Sequence, residues 1–271
     1  MQFGIRRVTA VLQKKLDIRR MMTVLQEKLG FRVHLRRIPR ALKKLDGRVF
    51  FREIGFLLAK LVLYGHGALV ALILFFCLLY SVVNPPVTPL MFYRKLHNGY
   101  SMKRGEYHAL PRIPAKLQNM VVKIEDYKFY EHPGIDFEAL LNAYQQNRRI
   151  GRIRYGGSTL TMQLARTVFL LPNQTYLRKY FEVLIALEMD LVMKKNRILE
   201  LYLNYCEWGR GVYGVDAAAR YYYRKKVKNL STDECRRLVT ILASPLRYDV
   251  NNFFSRRSMV RRYEYLLARF P

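Results

Sequence analysis

Acidic residues are scarce in this chain: 20 Asp and Glu stand against 48 Lys and Arg, a formal net charge of +28. An imbalance of that size points to an anionic partner, whether nucleic acid, an anionic membrane or a phosphorylated substrate. Cysteine is scarce too. Cys77, Cys206 and Cys235 are too few for a disulfide framework, and no C-x-x-C spacing offers a metal site. All three read as structural, with a Cys206–Cys235 bridge left open. Long strand-type alternation is absent and no internal repeat occurs, which leaves an all-α fold class. The 271 residues suffice for one good-sized domain and an appendage.

One stretch lacks charge altogether. Leu61 to Val83 carries no formal charge, and His66 is its most polar residue. Its 23 residues, at about 1.5 Å rise each, cover the roughly 30 Å hydrocarbon core of a bilayer. Tyr64 and Tyr80 sit near its ends, where aromatic rings favour the interface, and Asn84-Pro85-Pro86 terminates it. The pattern predicts a single transmembrane helix over 61–83. Before it, residues 1–60 hold 16 Lys and Arg against 4 Asp and Glu, so the positive-inside rule keeps the N-terminus cytoplasmic. The remainder would be extracytoplasmic, where nucleic acid is a poor partner and lipid phosphates are good ones. Within 5–30, apolar positions between Lys/Arg pairs read either as a basic amphipathic helix on the inner leaflet or as an ordinary solvated helix.

The expected organisation is a basic cytoplasmic segment (1–60), the span (61–83), a mostly polar connector (84–112) punctuated by Pro89 and Pro111, and a helical domain (113–271). Residues 147–157 read as a mobile basic loop between helices. Leu177 to Asn204 fits two helices, the first carrying Phe181, Leu184, Leu187 and Leu191 on one apolar stripe.

Four motifs carry chemistry. In the first, Glu125-Asp126 precedes Phe129, His132 and Pro133-Gly134. If this stretch is helical, Glu125, Phe129 and His132 share a face, and a carboxylate beside a ring and an imidazole is a candidate general base. A solvated acid pair at a helix end is the plainer account. The second is Gly156-Gly157-Ser158-Thr159, running into Gln163 and Arg166. Its glycines let backbone approach a ligand closely, Ser158 is a natural N-cap, and a free helix N-terminus attracts phosphate. The third, Arg178-Lys179 with Glu182, reads as an i,i+4 surface pair or as cations free to clamp a pyrophosphate. The fourth, Lys195 to Asn204, is mostly core, with Lys195 holding spare charge.

In order and spacing these motifs resemble the peptidoglycan glycosyltransferases of the lysozyme-like transglycosylase family. That family's E-D-x-x-F-x-x-H-x-G motif matches Glu125, Asp126, Phe129, His132 and Gly134. Its G-G-S-T-x-T-Q-Q-L-A-K-N motif is matched by Gly156 to Ala165, with Met162 where Gln is usual; beyond that stretch, Arg166 replaces Lys and Thr167 replaces Asn. R-K-x-x-E falls on Arg178, Lys179 and Glu182, and K-x-x-I-L-E-x-Y-L-N on Lys195 to Asn204. Gly209, Gly211, Gly214, Ala218 and Ala219 continue the pattern, so the resemblance covers roughly 86–271. No Ser-x-x-Lys or Lys-Thr-Gly suggests a transpeptidase, so the chain looks like a monofunctional biosynthetic transglycosylase.

The resemblance implies a lysozyme-like domain that polymerises lipid II into glycan strands at the outer face of the cytoplasmic (inner) membrane. It implies Glu125 as the base and Glu182 as a second catalytic residue that orients the cations or assists departure of the leaving group. Asp126, Phe129, His132, Gly157, Ser158, Thr159, Gln163, Arg166, Arg178, Lys179, Lys195 and Asn204 are its expected substrate-binding residues. No cofactor is evidently required, although a divalent cation (Mg or Mn) could share a pyrophosphate's charge. The expected partners are lipid II, the growing strand, membrane lipids and other cell-wall synthases. A glycan-cleaving lysozyme-like enzyme and a non-enzymatic membrane scaffold are the rival readings.

Overall fold

The computed structural model describes residues 47–152, 156–173 and 175–271, with backbone alone for 47–54. The amphipathic stretch expected over 5–30 lies outside the described residues, as do 153–155 of the expected loop. Two compact units are distinguished, Met1–His66 and Gly67–Pro271. The described part of the first is helical and belongs to α1 (Gly47–Val82), the longest helix among the described residues. Its stretch Gly55–Val82 contains an 18-residue window of mean hydropathy 2.3 and is long and apolar enough to cross a membrane by length and composition. That stretch begins earlier than the expected 61–83 and takes in Lys60.

The second unit opens with the end of α1, where Ile73 and Cys77 are buried in the domain core. The last carbonyls of a helix have no intrahelical partner. Here Arg197 supplies one: its guanidinium donates to Tyr80 O at 2.9 and 3.0 Å, to Val83 O at 3.0 Å and to Asn84 Oδ1 at 2.8 Å. The same group donates to Glu200 at 2.6 Å and to the Tyr107 hydroxyl at 2.7 Å. Burial pushes the Glu200 carboxyl up, but hydrogen bonds from Tyr107, the Leu110 N–H and Arg197 outweigh it and hold it below its usual range. This node ties the end of α1 to the domain and is more than the core packing expected of that motif.

The stretch expected as a plain connector contains structure. Helix α2 (Pro89–Asn98) starts at an N-cap, Thr88, with Pro89 in its first turn, and stops at Gly99 in the left-handed region. Strand β1 (Lys103–Arg104) pairs in parallel with β3 (Val212–Tyr213), which pairs antiparallel with β2 (Glu207–Gly209). The remaining helices are α3 (Ala115–Glu125), α4 (Phe137–Ile150), α5 (Leu160–Phe169), α6 (Tyr176–Val192), α7 (Lys195–Tyr205), α8 (Val215–Tyr223), α9 (Thr232–Ile241) and α10 (Arg257–Arg269). Among the described residues the fold is all-α apart from that small sheet. Helix α4 runs through Arg148 and Arg149, which had been expected in the loop, and closes at Gly151 in the left-handed region.

Helix α5 is the axis of the domain. It packs against α2, α6 and α7, while α3 packs against α9 and α10. The two expected helices over 177–204 are α6 and α7, but the expected stripe on α6 faces outward in part. Leu187 and Leu191 are exposed, whereas Glu182, Ile185, Glu188 and Met189 are buried. The inward face carries carboxylates, and that of Glu182 neutralises cations gathered around it. The apolar patch of residues 168–171 is divided: Val168 is buried, the Phe169 ring lies 5.9 Å from that of Tyr80, and Leu171 is exposed. Cys206 and Cys235 are separate buried thiols, and burial pushes Cys235 up to about 11.

Gly134 is required by geometry. Its φ is +76°, and a Cβ there would meet Ala186 O of α6 at 2.5 Å. Its carbonyl also accepts from Thr159 Oγ1 at 2.6 Å, at the start of α5. Gly134→Ala is expected to destabilise the domain by about 2–3 kcal/mol, the left-handed cost plus a backbone clash. Thermal melting checks this, and an unchanged midpoint would contradict it.

Candidate active site

Glu125 is the last residue of α3. Its carboxylate accepts from Gln163 Nε2 at 3.0 Å on one oxygen and from Arg262 Nη2 on the other. The Gln163 carbonyl oxygen in turn accepts from the Tyr202 hydroxyl at 3.0 Å, which fixes the amide so that its NH₂ faces Glu125. Residues from α5, α7 and α10 therefore converge on one acid.

The helix does not continue past Glu125, so the expected common face of Glu125, Phe129 and His132 does not form. Asp126 turns into extended backbone (φ −162°), and its buried carboxylate accepts the Leu160 N–H of α5 at 2.9 Å and lies 3.0 Å from His132 Nε2. A helix N-terminus favours such an anion. Burial pushes the Asp126 carboxyl up, against the Leu160 N–H, His132 and Lys195, which favour the charged form. Phe129 is fully buried and His132 nearly so. Lys195 has no spare charge: it pairs with Asp190 at 2.5 Å, donates to His132 O at 2.6 Å and sits 4.9 Å above the Phe129 ring. These residues brace the turn that carries Glu125 to its place.

The second motif differs from expectation in two details. The N-cap of α5 is Thr159, whose Oγ1 accepts the Met162 N–H at 3.1 Å, while Ser158 Oγ accepts from Lys179 Nζ at 2.8 Å. Gly157 approaches protein backbone: a Cβ there would meet Leu140 Cα of α4 at 2.7 Å. Met162, in the position where Gln had been expected, is fully buried beside Ile135 and Ala186. Thr167 donates back to Gln163 O at 2.9 Å.

Glu182 is fully buried and meets three cations: Arg178 at 3.2 Å, Arg166 at 3.3 Å and Lys179 at 3.4 Å. The surface-pair account of this motif therefore gives way to an internal cluster. Burial pushes Lys179 down, helped by Arg166 and Arg178 and opposed by Glu182. Arg178 Nη1 is the atom that faces Glu182 Oε2, while its Nε is buried without a hydrogen-bond partner.

Glu125, Ser158, Gln163, Arg166, Arg178, Tyr202 and Arg262 line one cavity of about 830 Å³. Of the remaining expected residues, Asp126, Phe129, His132, Gly157, Thr159, Lys179, Glu182 and Lys195 do not line this cavity. Asn204 is engaged elsewhere: its amide exchanges hydrogen bonds with the His108 backbone at 2.9 Å each way and donates to Glu200 O at 2.7 Å. It holds the connector on α7. Sequence reasoning missed Arg262, Tyr202 and the Arg94–Glu207 pair (3.2 Å) that also lines the cavity. Tyr202 stands inside the fourth motif but read as core; no local signal marked Arg262, Arg94 or Glu207, which reach the site from other elements.

One group among the described residues has metal-ligand spacing: Glu106, His108 and Asp216, in a separate cavity of about 320 Å³. Arg220 already occupies this cluster, donating to Asp216 at 2.8 Å and lying 3.7 Å from Glu106.

The main cavity thus combines a carboxylate fixed by two donors with two arginines, Arg166 and Arg178, that share one buried carboxylate. It can take a proton at Glu125 and hold an anion at Arg178 and Arg166. Residues 94–270 match a family model described as Transglycosylase. A biosynthetic peptidoglycan transglycosylase of Dechloromonas aromatica is 37% identical over 72% of this chain and 85% of its own length. One from Caulobacter vibrioides is 39% identical over 72% and 81%. One from Haemophilus influenzae is 36% identical over 71% and 80%.

Proposed function

Since this chain belongs to the transglycosylase family, we propose that it is a peptidoglycan glycosyltransferase that joins lipid II units into glycan strands and releases polyprenyl pyrophosphate. The observation that carries this reading is the single cavity lined by both Glu125 and the Arg166–Arg178 pair. A glycosyl donor activated as a pyrophosphate needs a base for the incoming hydroxyl and positive charge for the leaving group, and needs little acid assistance.

Glu125 takes the proton from the 4-hydroxyl of the acceptor GlcNAc as that oxygen attacks the anomeric carbon of the donor MurNAc. The C–O bond to the α-linked pyrophosphate breaks with its electron pair, and a β bond forms. This parallels the single displacement of inverting glycosidases, with a sugar hydroxyl in place of water. Arg178 and Arg166 meet the charge that develops on the departing pyrophosphate, with Lys179 behind them. Glu182 acts through these three cations by fixing their heads. A divalent cation (Mg or Mn) finds little purchase here: the lining acids are Glu125 and Glu207, and each is paired with an arginine. The chemistry is therefore assigned to protein cations.

The Lys/Arg excess of residues 1–60 supports an N-terminus on the cytoplasmic side, with α1 as a single-pass anchor in the cytoplasmic membrane and the catalytic domain outside. There the domain meets membrane lipids, the growing strand and other cell-wall synthases, and no nucleic acid.

Cleavage of finished glycan is the competing enzymatic reading, and it leaves the buried cation cluster without a task. Incubating the full chain separately with lipid II and with finished peptidoglycan distinguishes the two. Strand formation from the first and no release from the second is expected; the reverse would overturn the proposal.

A further inference from the structure

The C-terminal helix contributes to the site a residue that none of the four motifs contains. Arg262, on α10, donates to Glu125 Oε1, while Gln163 on α5 donates to Oε2. Each carboxylate oxygen therefore has one donor, and the two donors come from different helices. The arginine is itself located: its Nη2 also reaches Val239 O of α9 at 3.3 Å, its side chain is 16% exposed, and Met259 and Leu266 bury α10 against the core. Glu125 sits at the very end of α3, followed by non-helical backbone. A carboxylate at a helix terminus has rotational freedom about its side-chain bonds unless something removes it.

We propose that Arg262 is a positioning residue for the base: with Gln163 it fixes the plane and rotamer of the Glu125 carboxylate, and so makes α10 part of the catalytic apparatus. The other charged or titratable groups near Glu125 do not duplicate it. Tyr202 of α7 and Cys206, which follows that helix, carry no positive charge, and Arg166 of α5 is held by Glu182. Gln163 alone leaves Oε1 unheld. The guanidinium suits the task because its planar head combines charge with directed N–H donors, one grip on Glu125 and another on the α9 carbonyl.

This inference rests on Glu125 as the base. The test uses the full chain in detergent with lipid II and compares Arg262→Met, Arg262→Lys and Arg262→Ala with Glu125→Gln as reference. Arg262→Met is expected to lower kcat by about 10²-fold, the scale of an ångström-level misplacement, with KM within about threefold of wild type. Arg262→Lys restores a charge but only one head atom and should recover part of kcat. Added guanidinium at millimolar concentration should raise the kcat of Arg262→Ala and leave Arg262→Met unmoved, since Met fills the space. A merely structural role predicts neither the split nor the rescue. Unchanged kcat in Arg262→Met, or a raised KM with kcat intact, overturns the proposal. If Glu125→Gln polymerises normally, the assignment of the base fails first; if Glu125→Gln is dead and Arg262→Met is active, only the role of Arg262 fails.

Discussion

Glu125→Gln is expected to reduce strand formation from lipid II by about 10³-fold or more while the domain still folds and binds its substrate. General-base contributions run from about 10² to 10⁴, and no other carboxylate lines the cavity without a partner that uses it otherwise. The substitution removes a proton acceptor and almost nothing else. Gln has the same length, its carbonyl still accepts from Arg262 or Gln163, and α3 ends at the same residue. Circular dichroism and melting should stay close to wild type, and lipid II affinity should remain within a few-fold. A variant that retains a tenth of wild-type turnover would remove Glu125 from the mechanism, and the proton would then need another destination.

The second large effect concerns the inside of the cation cluster. Glu182→Ala is expected to cost about 3 kcal/mol of stability and most of the activity together. Its carboxylate is fully buried between Arg166, Arg178 and Lys179, all within 3.4 Å. Removing one member of a buried charge group typically costs about 3–5 kcal/mol, because the partners are left uncompensated. The cations here keep 17–39% of their side-chain surface exposed, which favours the lower end. Repulsion would then spread the three heads and misplace the donors aimed at the pyrophosphate. Melting gives the first loss and kcat the second. A pyrophosphate-containing ligand should stabilise the variant more than it does wild type in relative terms, since it replaces the missing anion. A variant as stable and active as wild type would show that the cluster needs no internal anion.

Much of the site was legible in the chain because its parts are local. Arg178 and Glu182 are one helical turn apart, so the sequence places them together on any helix. Glu125, Asp126, Phe129 and His132 fall within eight residues, so an acid, a ring and an imidazole had to lie close together. What was misread depended on partners far away in sequence. Ser158 and Thr159 are equally good caps on paper; Thr159 takes the position because its hydroxyl also donates to Gly134 O, and Ser158 is drawn to Lys179. Asp126 ends α3 because it receives the Leu160 N–H, 34 residues on. The α6 stripe looked like a core face because leucines outnumber carboxylates there, yet the helix turns Glu182 inward to meet cations of α5 and of its own first turns. Arg262 is one of several arginines in an Arg-rich C-terminal stretch, and only the packing of α10 against α3 distinguishes it, across 137 residues. Lys195 and Asn204 looked available because a sequence shows charge and amide groups without showing what already occupies them.

The central claim is a single displacement: Glu125 takes the acceptor proton while Arg166 and Arg178 receive the departing pyrophosphate. The anomeric configuration of the newly formed bond, determined together with the amount of polyprenyl pyrophosphate released, tests it most directly. Full-length protein turning over α-linked lipid II should give β-linked strands, with one pyrophosphate freed per bond. An α-linked product, or bonds formed without that release, would contradict the account.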